Sequence, residues 1–298
     1  MPPAPPPPLI LIGGPTAAGK SAFALQKARE VNGVILNADA MQIYRGLPLL
    51  TAQPDAQDKN EIPHRLYEVL DAASPSSVGK WLELTRLALQ EAVETERAPI
   101  LVGGTGLYFE AFQKGLADIP AISDSVRVAC AERYEAEGEE KFREELATQD
   151  PESAARIARN DRQRLIRAAE VLAYTGKSLS LWQKEAAPRS LLTEFGFALP
   201  ETHLICPPRE ALYAACDARF LQMIERGALE EVRTLLTRGL SLDLPAMKIL
   251  GVREIAAFLQ GEITLETAIS QAQQKTRNYA KRQMTWFRHH WPKGTQNR

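Results

Sequence analysis

Short apolar runs alternate with stretches of helical periodicity in the first part of the chain. The runs at 8–14, 32–39 and 98–106 have the length of buried strands and end in glycine or polar residues. Between them, 21–31 and 81–97 carry apolar residues at helical spacing. Strands that alternate with helices predict parallel βαβ units, in which ligands bind at the carboxyl ends of the strands.

The pattern changes near residue 118, where helical periodicity becomes continuous and charged residues become abundant. A strand pattern returns only at 201–208, and helical patterns follow it. We therefore predict an α/β core formed by 9–117 and 200–298, interrupted by an all-helical insertion at 118–199.

Composition is that of a globular protein, with 45% hydrophobic and 24% charged residues in 298. Three cysteines without zinc-ligand spacing favour buried thiols in a reducing cytoplasm. Residues 1–8, with six prolines, predict a disordered tail, and the apolar run after them is too short for a signal peptide or membrane span. We expect a cytoplasmic protein with no membrane partner.

Charge is balanced overall but segregated along the chain. A net charge of −1 argues against a general polyanion binder, yet 156–167 has five arginines and 275–298 has seven Lys/Arg without an acid. Helical spacing would place Arg156, Arg159 and Arg167 on one stripe, which is either a solvated surface or a phosphate contact. In the C-terminal segment, Trp286 and Phe287 either stack on bases or belong to the core, and we favour the core.

One segment fits the phosphate-loop pattern GxxxxGK[ST] between a predicted strand and a predicted helix. Its residues are Gly14, Pro15, Thr16, Ala17, Ala18, Gly19, Lys20 and Ser21. Backbone N–H groups and the helix N-terminus favour a phosphate, Lys20 adds a charge, and the Ser21 hydroxyl is a candidate Mg²⁺ ligand. The alternative is a turn that only caps the helix. The loop itself does not specify ATP or any other phosphate.

Polar residues also follow the next two predicted core strands. Asp39 is a candidate metal-organising carboxylate or general base, with a turn cap as the alternative. Thr105, after two glycines, offers a hydroxyl to a ligand or caps the following helix. Both residues are predicted at the same sheet edge as the glycine loop.

Seven motifs in chain order resemble those of the tRNA dimethylallyltransferase (tRNA isopentenyltransferase) family in its bacterial form. They are GPTAAGKS, NADAMQIYRG, IPHRLYEVLD, LVGGTGLYF, NDRQRLIRAAEV, AMKILGVREIAAFLQGEI and TRNYAKRQMTWFR. The resemblance implies a P-loop NTPase-like core and transfer of a dimethylallyl group from its diphosphate to tRNA. The acceptor would be N6 of the adenosine 3′-adjacent to the anticodon, in tRNAs that read codons beginning with U.

The resemblance also implies roles for individual residues. Thr16 to Ser21 and Arg219 would hold the donor diphosphate, with Lys20 and Mg²⁺ stabilising the departing pyrophosphate. Asp39 would be the general base for the adenine amine, and Thr105 would lie beside the adenine. The helical insertion would bind the anticodon stem-loop, and a monomer without an obligate protein partner would suffice.

Positions that match the family's tRNA contacts fall in several segments. They are Asp39, Ala40, Met41, Gln42, Thr105, Arg127, Gln163, Arg164, Leu165, Ile166, Arg167, Lys248, Ile249, Leu250, Gly251, Val252, Arg253, Lys281 and Arg282. The chain departs from the usual motifs at Ala40, Gln53 and Val252, while Lys20, Asp39 and Thr105 are all in place. Two other interpretations are an ATP-dependent kinase of a small molecule or nucleotide, which would leave the basic segments without a task, and an RNA-binding module without catalysis.

Overall fold

The computed structural model describes residues 7–185, 190–197, 199–292 and the backbone of 296–297. Of the proline-rich tail predicted at 1–8, residues 1–6 lie outside the described residues. The chain divides into two compact units, the first formed by the chain up to Gln113 and from Leu191 onwards, the second by Lys114–Ser190.

A parallel sheet forms the centre of the first unit. Its strands are β1 (Ile10–Gly13), β2 (Gly33–Asn37), β3 (His64–Arg65), β4 (Ala98–Gly103), β5 (Glu201–Leu204) and β6 (Gln296–Asn297), in the order β3-β2-β4-β1-β5-β6. The four strands that the apolar pattern predicts are confirmed, and all neighbours pair in parallel. β3 and β6 have only two residues each, which is too short for a periodic signal.

The helices of the described residues lie between and after these strands. In chain order they are α1 (Lys20–Val31), α2 (Ala56–Glu61), α3 (Val78–Glu94), α4 (Gly106–Lys114), α5 (Asp124–Gln149), α6 (Pro151–Arg156), α7 (Arg162–Thr175), α8 (Leu179–Glu185), α9 (Leu191–Glu194), α10 (Arg209–Glu225), α11 (Ala228–Leu236), α12 (Val252–Leu259) and α13 (Leu265–His290). A short 3₁₀ turn, Pro245–Lys248, precedes α12. None of the helices in the described part of the chain is long and apolar enough to cross a membrane.

Both faces of the sheet are buried. Leu9 and Leu11 contribute to the larger core together with residues of α3, α4 and α10 to α13. Ile10 and Ile12 point to the opposite face and pack with Ala24 and Ala28 of α1. This two-sided burial explains why the strands read as continuous apolar runs rather than as alternating patterns.

The second unit is helical and has its own small core, which includes Phe142, Leu146 and Leu165. The sequence pattern places the insertion at 118–199, whereas the compact unit is Lys114–Ser190. The C-terminal boundary differs because Leu191 and Phe197 are buried in the core of the first unit.

Two irregularities interrupt the helices of the second unit. α5 is broken at Gly138, whose φ of 77° and ψ of 166° are not helical. The expectation that Arg156, Arg159 and Arg167 share one helical stripe is wrong, because α6 ends at Arg156 and α7 begins at Arg162. The Asp161 side chain accepts the Arg164 N–H at 3.2 Å and caps α7.

Candidate active site

The glycine loop lies between β1 and α1, as the motif requires. Gly14 has a φ of 152°, and a Cβ at this position would lie 2.2 Å from the carbonyl oxygen of Ile205, so only glycine fits. Gly19 is left-handed (φ 89°) and precedes the first turn of α1, which begins at Lys20. The Lys20 Nζ donates to the Pro15 carbonyl oxygen at 2.6 Å. The ammonium group is therefore folded back over its own loop.

Asp39 follows the carboxyl end of β2, and its backbone is fixed by Asn37. The Asn37 Oδ1 accepts the Asp39 N–H at 2.8 Å, and its Nδ2 donates to the carbonyl oxygens of Asp39 and Leu66, both at 3.0 Å. The Asp39 Oδ1 accepts the Met41 N–H at 2.9 Å. The carboxylate does cap a turn, and it also lines a cavity. The geometry of Asp39 is therefore compatible both with a turn cap and with a metal-organising carboxylate or general base.

Thr105 ties the end of β4 to the segment that carries Asp39. Its Oγ1 accepts the Ala40 N–H at 2.9 Å, and its own N–H donates to the Ala38 carbonyl oxygen at 3.2 Å. The two strand ends touch at Gly103, where a Cβ would lie 2.0 Å from the Ala38 carbonyl oxygen. Because of these contacts, Asp39 and Thr105 cannot move independently of each other.

α13 locks the glycine loop to the β4 end through one buried side chain, Gln283. The Gln283 Oε1 accepts the Thr16 N–H at 2.8 Å, and the Nε2 donates to the Gly104 carbonyl oxygen at 2.9 Å. Gln283 is not among the site residues predicted from the motifs. The sequence does indicate its burial, because Gln283 falls on the same helical face as the buried residues Thr276, Ala280 and Phe287. A polar residue on a buried face requires hydrogen-bond partners.

α10 brings a second cation to the loop. The Arg219 Nη2 donates a hydrogen bond to the Thr16 Oγ1. Burial lowers the pKa of Arg219 from its usual value. Burial also lowers the pKa of Lys20 to about 8; the nearby Asp39 charge raises it and the Arg219 charge lowers it further. Two partly desolvated cations beside backbone N–H groups form an anion-binding site.

The glycine loop, Asp39 and Arg219 line one cavity of the first unit. Its walls are formed by Thr16, Asp39, Met41, Leu50, Thr51, Cys216, Arg219, Phe220, Met223, Ile249, Leu250, Thr276 and Tyr279. Six of these lining residues are among the site residues predicted from the sequence, and the others are not. The six are Thr16, Asp39, Met41, Arg219, Ile249 and Leu250. Burial and then the Asp39 charge raise the pKa of Tyr279.

The donor set fits Mg²⁺ held jointly with a substrate. Ser21, in the first turn of α1, is exposed, and Asp39 is the carboxylate that lines the cavity. Among the described residues no group of three or more His, Cys, Asp or Glu side chains could hold a metal ion. Mg²⁺ commonly keeps several waters and takes only one or two protein oxygens together with substrate phosphates. Ser21 matches that mode of binding.

The predicted tRNA contacts of the helical unit are divided between its surface and its core. Arg127, Gln163 and Arg164 are exposed, and Arg167 is half-buried. The side chains of Leu165 and Ile166 pack in the core of the unit. The arginines of this unit have acidic partners. Arg162 pairs with Glu135 at 2.6 Å, Arg164 with Asp161 at 3.5 Å, and Arg167 with Glu170 at 3.3 Å.

The predicted tRNA contacts of the first unit are divided in the same way. Exposed basic side chains are those of Lys248, Arg253, Lys281 and Arg282. Ile249, Gly251 and Val252 are buried, so their side-chain positions face the protein interior. Ala40, Met41 and Gln42 are half-buried beside Asp39, and the Gln42 Nε2 donates to the carbonyl oxygens of Thr51 and Ala52 at 2.9 and 2.8 Å. Phe287 is 1% exposed, which confirms its place in the core, while Trp286 is half-buried.

The parallel sheet, the glycine loop at β1 and the polar strand ends beside it define a P-loop NTPase-like α/β protein with a helical insertion. A family model described as IPP transferase matches residues 42–290. The chain belongs to this family of prenyl-transferring enzymes, which confirms the resemblance in the motifs.

Individual relatives match nearly the whole chain. A tRNA dimethylallyltransferase of Caulobacter sp. (strain K31) is 52% identical over 95% of this chain and 90% of its own length. One from Rhodospirillum centenum is 48% identical over 95% of this chain and 88% of its own length. The crystal structure of the full-length tRNA isopentenylpyrophosphate transferase from Bacillus halodurans has a TM-score of 0.66 at 32% identity, covering 98% of this chain and 89% of that one. A eukaryotic dimethylallyltransferase acting on tRNA shares the fold, with a TM-score of 0.77 at 24% identity over 94% of this chain and 70% of its own.

Proposed function

We propose that this protein transfers a dimethylallyl group from dimethylallyl diphosphate to tRNA. The acceptor is N6 of the adenosine 3′-adjacent to the anticodon, in tRNAs that read codons beginning with U. Membership of the family and relatives named tRNA dimethylallyltransferase support the reaction class. The observation that carries the proposal is the convergence of Thr16, Arg219 and Asp39 on one cavity.

In this proposal, the glycine loop holds the phosphate groups that leave. The Thr16 N–H is bonded to Gln283, so the backbone N–H groups from Ala17 to Ser21, with the charges of Lys20 and Arg219, would face the diphosphate. Negative charge grows there as the allylic C–O bond breaks. The bound anion raises the pKa of Lys20 from about 8, so the ammonium form persists in the complex. Mg²⁺ held by Ser21 and the phosphates would neutralise further charge on the leaving group.

Asp39 acts on the acceptor. The exocyclic amine of adenine is a poor nucleophile because its lone pair is delocalised into the ring, so removal of a proton and accurate placement both matter. The Met41 N–H holds Oδ1 of Asp39 in place at 2.9 Å, and Asn37 holds the backbone. As the N–C bond forms and the C–O bond breaks, Asp39 takes the amine proton and pyrophosphate departs.

Thr105 helps to orient the adenine that reacts. Its Oγ1 already accepts the Ala40 N–H, which leaves its O–H to donate. This O–H is available to a base bound beside Asp39. A base splayed out of a tRNA loop is held by such fixed polar groups and by stacking.

Exposed basic side chains in both units would contact tRNA. They include Lys248, Arg253, Lys281 and Arg282 in the first unit and Arg127 and Arg164 in the helical unit. Several of them form exposed ion pairs, such as Arg164 with Asp161 and Lys248 with Asp243, and exposed pairs of this kind are weak enough to exchange for a phosphate. We further propose a monomer acting in the cytoplasm without an obligate protein partner.

The test supplies unmodified tRNA, Mg²⁺ and either dimethylallyl diphosphate labelled in the alkenyl group or ATP labelled in its terminal phosphate. We expect label in tRNA only from the prenyl donor, at N6-(dimethylallyl)adenosine after nuclease digestion. Label from ATP in any acceptor would favour the kinase interpretation. Binding of tRNA without transfer of either label would favour an RNA-binding module and contradict the proposal.

A further inference from the structure

The cavity is amphipathic, and its apolar side is assigned no role by the reaction scheme above. Thr16, Asp39 and Arg219 form the polar side. Leu50, Phe220, Met223 and the segment at 249–250 form the apolar side. A prenyl diphosphate has the same division into a charged head and an apolar tail, and an apolar tail is stabilised by burial against such a wall.

α10 sets the position of the apolar wall relative to the phosphate site. Arg219 and Met223 are four residues apart, so they share one face of the helix and are separated by about 6 Å along its axis. Arg219 donates to Thr16 in the loop, so Met223 lies about one helical turn along α10 from the residue that contacts the loop. A short alkenyl group fits within one turn, whereas a chain of twice that length meets Met223 and Phe220.

The wall behind these side chains is rigid. A Cβ on Gly251, whose φ is 93°, would lie 2.9 Å from Phe220 Cε2 and 3.0 Å from Leu50 Cδ1, so the backbone packs directly on both. Phe220 is 4% exposed and Met223 is 8% exposed. A longer chain would have to displace these close-packed side chains, and that displacement costs free energy.

Glu231 of α11 fixes the remaining part of the wall. Its two carboxylate oxygens accept the N–H groups of Leu49 and Leu50 at 2.7 and 2.9 Å. Gln42 binds the next two carbonyl oxygens of the same loop, those of Thr51 and Ala52. The Leu50 side chain is therefore held against Phe220 from two directions.

We propose that Leu50, Phe220 and Met223 form the end wall of the prenyl pocket and restrict the donor to the five-carbon diphosphate. This inference rests on the proposed function and adds the residues that set donor length. The occupant of the apolar side is the alkenyl tail of the donor, and the adenine lies on the side of Asp39 and Thr105.

The test compares dimethylallyl and geranyl diphosphate as donors for the same tRNA, in the wild type, Met223→Ala, Phe220→Leu and the control Leu221→Ala. Leu221 is on α10 but 44% exposed, so its removal should leave both donors unchanged. In Met223→Ala we expect the ratio of kcat/KM for geranyl over dimethylallyl diphosphate to rise by at least about tenfold, because removed methylenes reopen the space that the longer chain needs. Phe220→Leu should shift the ratio in the same direction, and thermal unfolding checks that each variant is folded.

Two results would overturn the inference. An unchanged donor ratio in both folded variants would mean that the wall does not meet the prenyl chain. A raised KM for tRNA with an unchanged ratio would mean that it faces the adenine instead. If the wild type transfers dimethylallyl groups normally but the variants keep its donor ratio, only this inference is contradicted. If the wild type is inactive with dimethylallyl diphosphate, the proposed function itself is contradicted.

Discussion

The two units of this protein use charged side chains in different ways. At the glycine loop and the cavity beside it in the first unit, Lys20, Asp39 and Arg219 are half-buried, and each is bonded to backbone or to a hydroxyl. In the helical unit, Arg162 and Arg164 are exposed and pair with acids of the same unit. Exposed pairs exchange easily with solvent and salt, while partly buried groups have one geometry. A run of exposed arginines is therefore weaker evidence for a catalytic site than a single partly buried carboxylate at the end of a strand.

The largest expected effect is that of Asp39→Asn. The amide keeps the size of the side chain and an oxygen to accept the Met41 N–H, but it cannot take the amine proton. We expect kcat for transfer to fall by about 10²- to 10⁴-fold, the range of a lost general base. Single-turnover transfer assays measure this loss, and filter binding should show tRNA affinity within about twofold of the wild type, a range typical of a polar surface change.

Asp71→Asn is the matched control for this substitution. Asp71 is a carboxylate of the same unit that pairs with Arg238, away from the residues that line the cavity. Its transfer rate should equal that of the wild type. Wild-type turnover by Asp39→Asn would show that the base is assigned to the wrong residue.

A smaller but still large effect is expected for Gln283→Ala. The substitution leaves the Thr16 N–H and the Gly104 carbonyl oxygen without their partner, which costs about 1–3 kcal/mol. Because Thr16 belongs to the loop that holds the donor, kcat/KM for dimethylallyl diphosphate should fall by about ten- to hundredfold. Steady-state kinetics with varied donor check this.

Gln274→Ala, on the same helix, is the control. Gln274 is exposed and bonds Asn278 one turn away at 3.1 Å. An equal loss of donor efficiency in both variants would mean that Gln283 acts only through the stability of α13, and a loss confined to Gln283→Ala supports a role in holding the loop.

The pH dependence of donor binding should reveal the lowered pKa of Lys20. Below a pH of about 8 the ammonium form dominates in the free protein, and above it the neutral amine does. We expect kcat/KM for the donor to fall about fivefold between pH 8 and 9 and about tenfold more by pH 10, because this parameter reports the pKa of the free enzyme. Bound diphosphate raises the pKa, so kcat should lose activity only at higher pH.

Lys20→Arg separates this effect from other titrations, since a guanidinium stays charged across the range. Its remaining activity should lack the fall above pH 8. An identical pH profile in the variant and the wild type would assign the titration to another group.

The smallest effect is expected in the helical unit. Arg164 is 77% exposed and pairs only with Asp161 at 3.5 Å, so Arg164→Ala should leave stability nearly unchanged. If Arg164 contacts a phosphate of tRNA, KM for tRNA should rise by a few-fold and the salt dependence of binding should become shallower by about one counterion. A change in kcat or in donor KM would contradict the distinction between the two units.

The core of the site could be predicted because its determinants are local. The glycine loop, Asp39 and Thr105 each follow an apolar run that is recognisable within about ten residues. Arg219 entered the prediction only through resemblance, and its bond to Thr16 joins positions 203 residues apart. Gln283 and the wall residues Phe220 and Met223 could not be placed from local pattern, because their partners lie on other elements and nothing in helical periodicity says which element a buried face meets.

The arginine run shows the opposite failure. Helical spacing was the basis for one stripe, but α6 ends at Arg156, α7 begins at Arg162 after its cap Asp161, and Arg159 lies between the two helices. The acids that pair with them, such as Glu135, come from another helix, α5. Local charge counts omit such partners.

The central claim is that the phosphate groups held by the loop are discarded rather than transferred. The most direct measurement uses dimethylallyl diphosphate that carries tritium in the alkenyl group and phosphorus-32 in the diphosphate, incubated with unmodified tRNA and Mg²⁺. The account predicts that tritium enters tRNA and phosphorus-32 appears as free pyrophosphate in equal molar amounts. Phosphorus-32 in the tRNA, or pyrophosphate released without tritium in the tRNA, would contradict it.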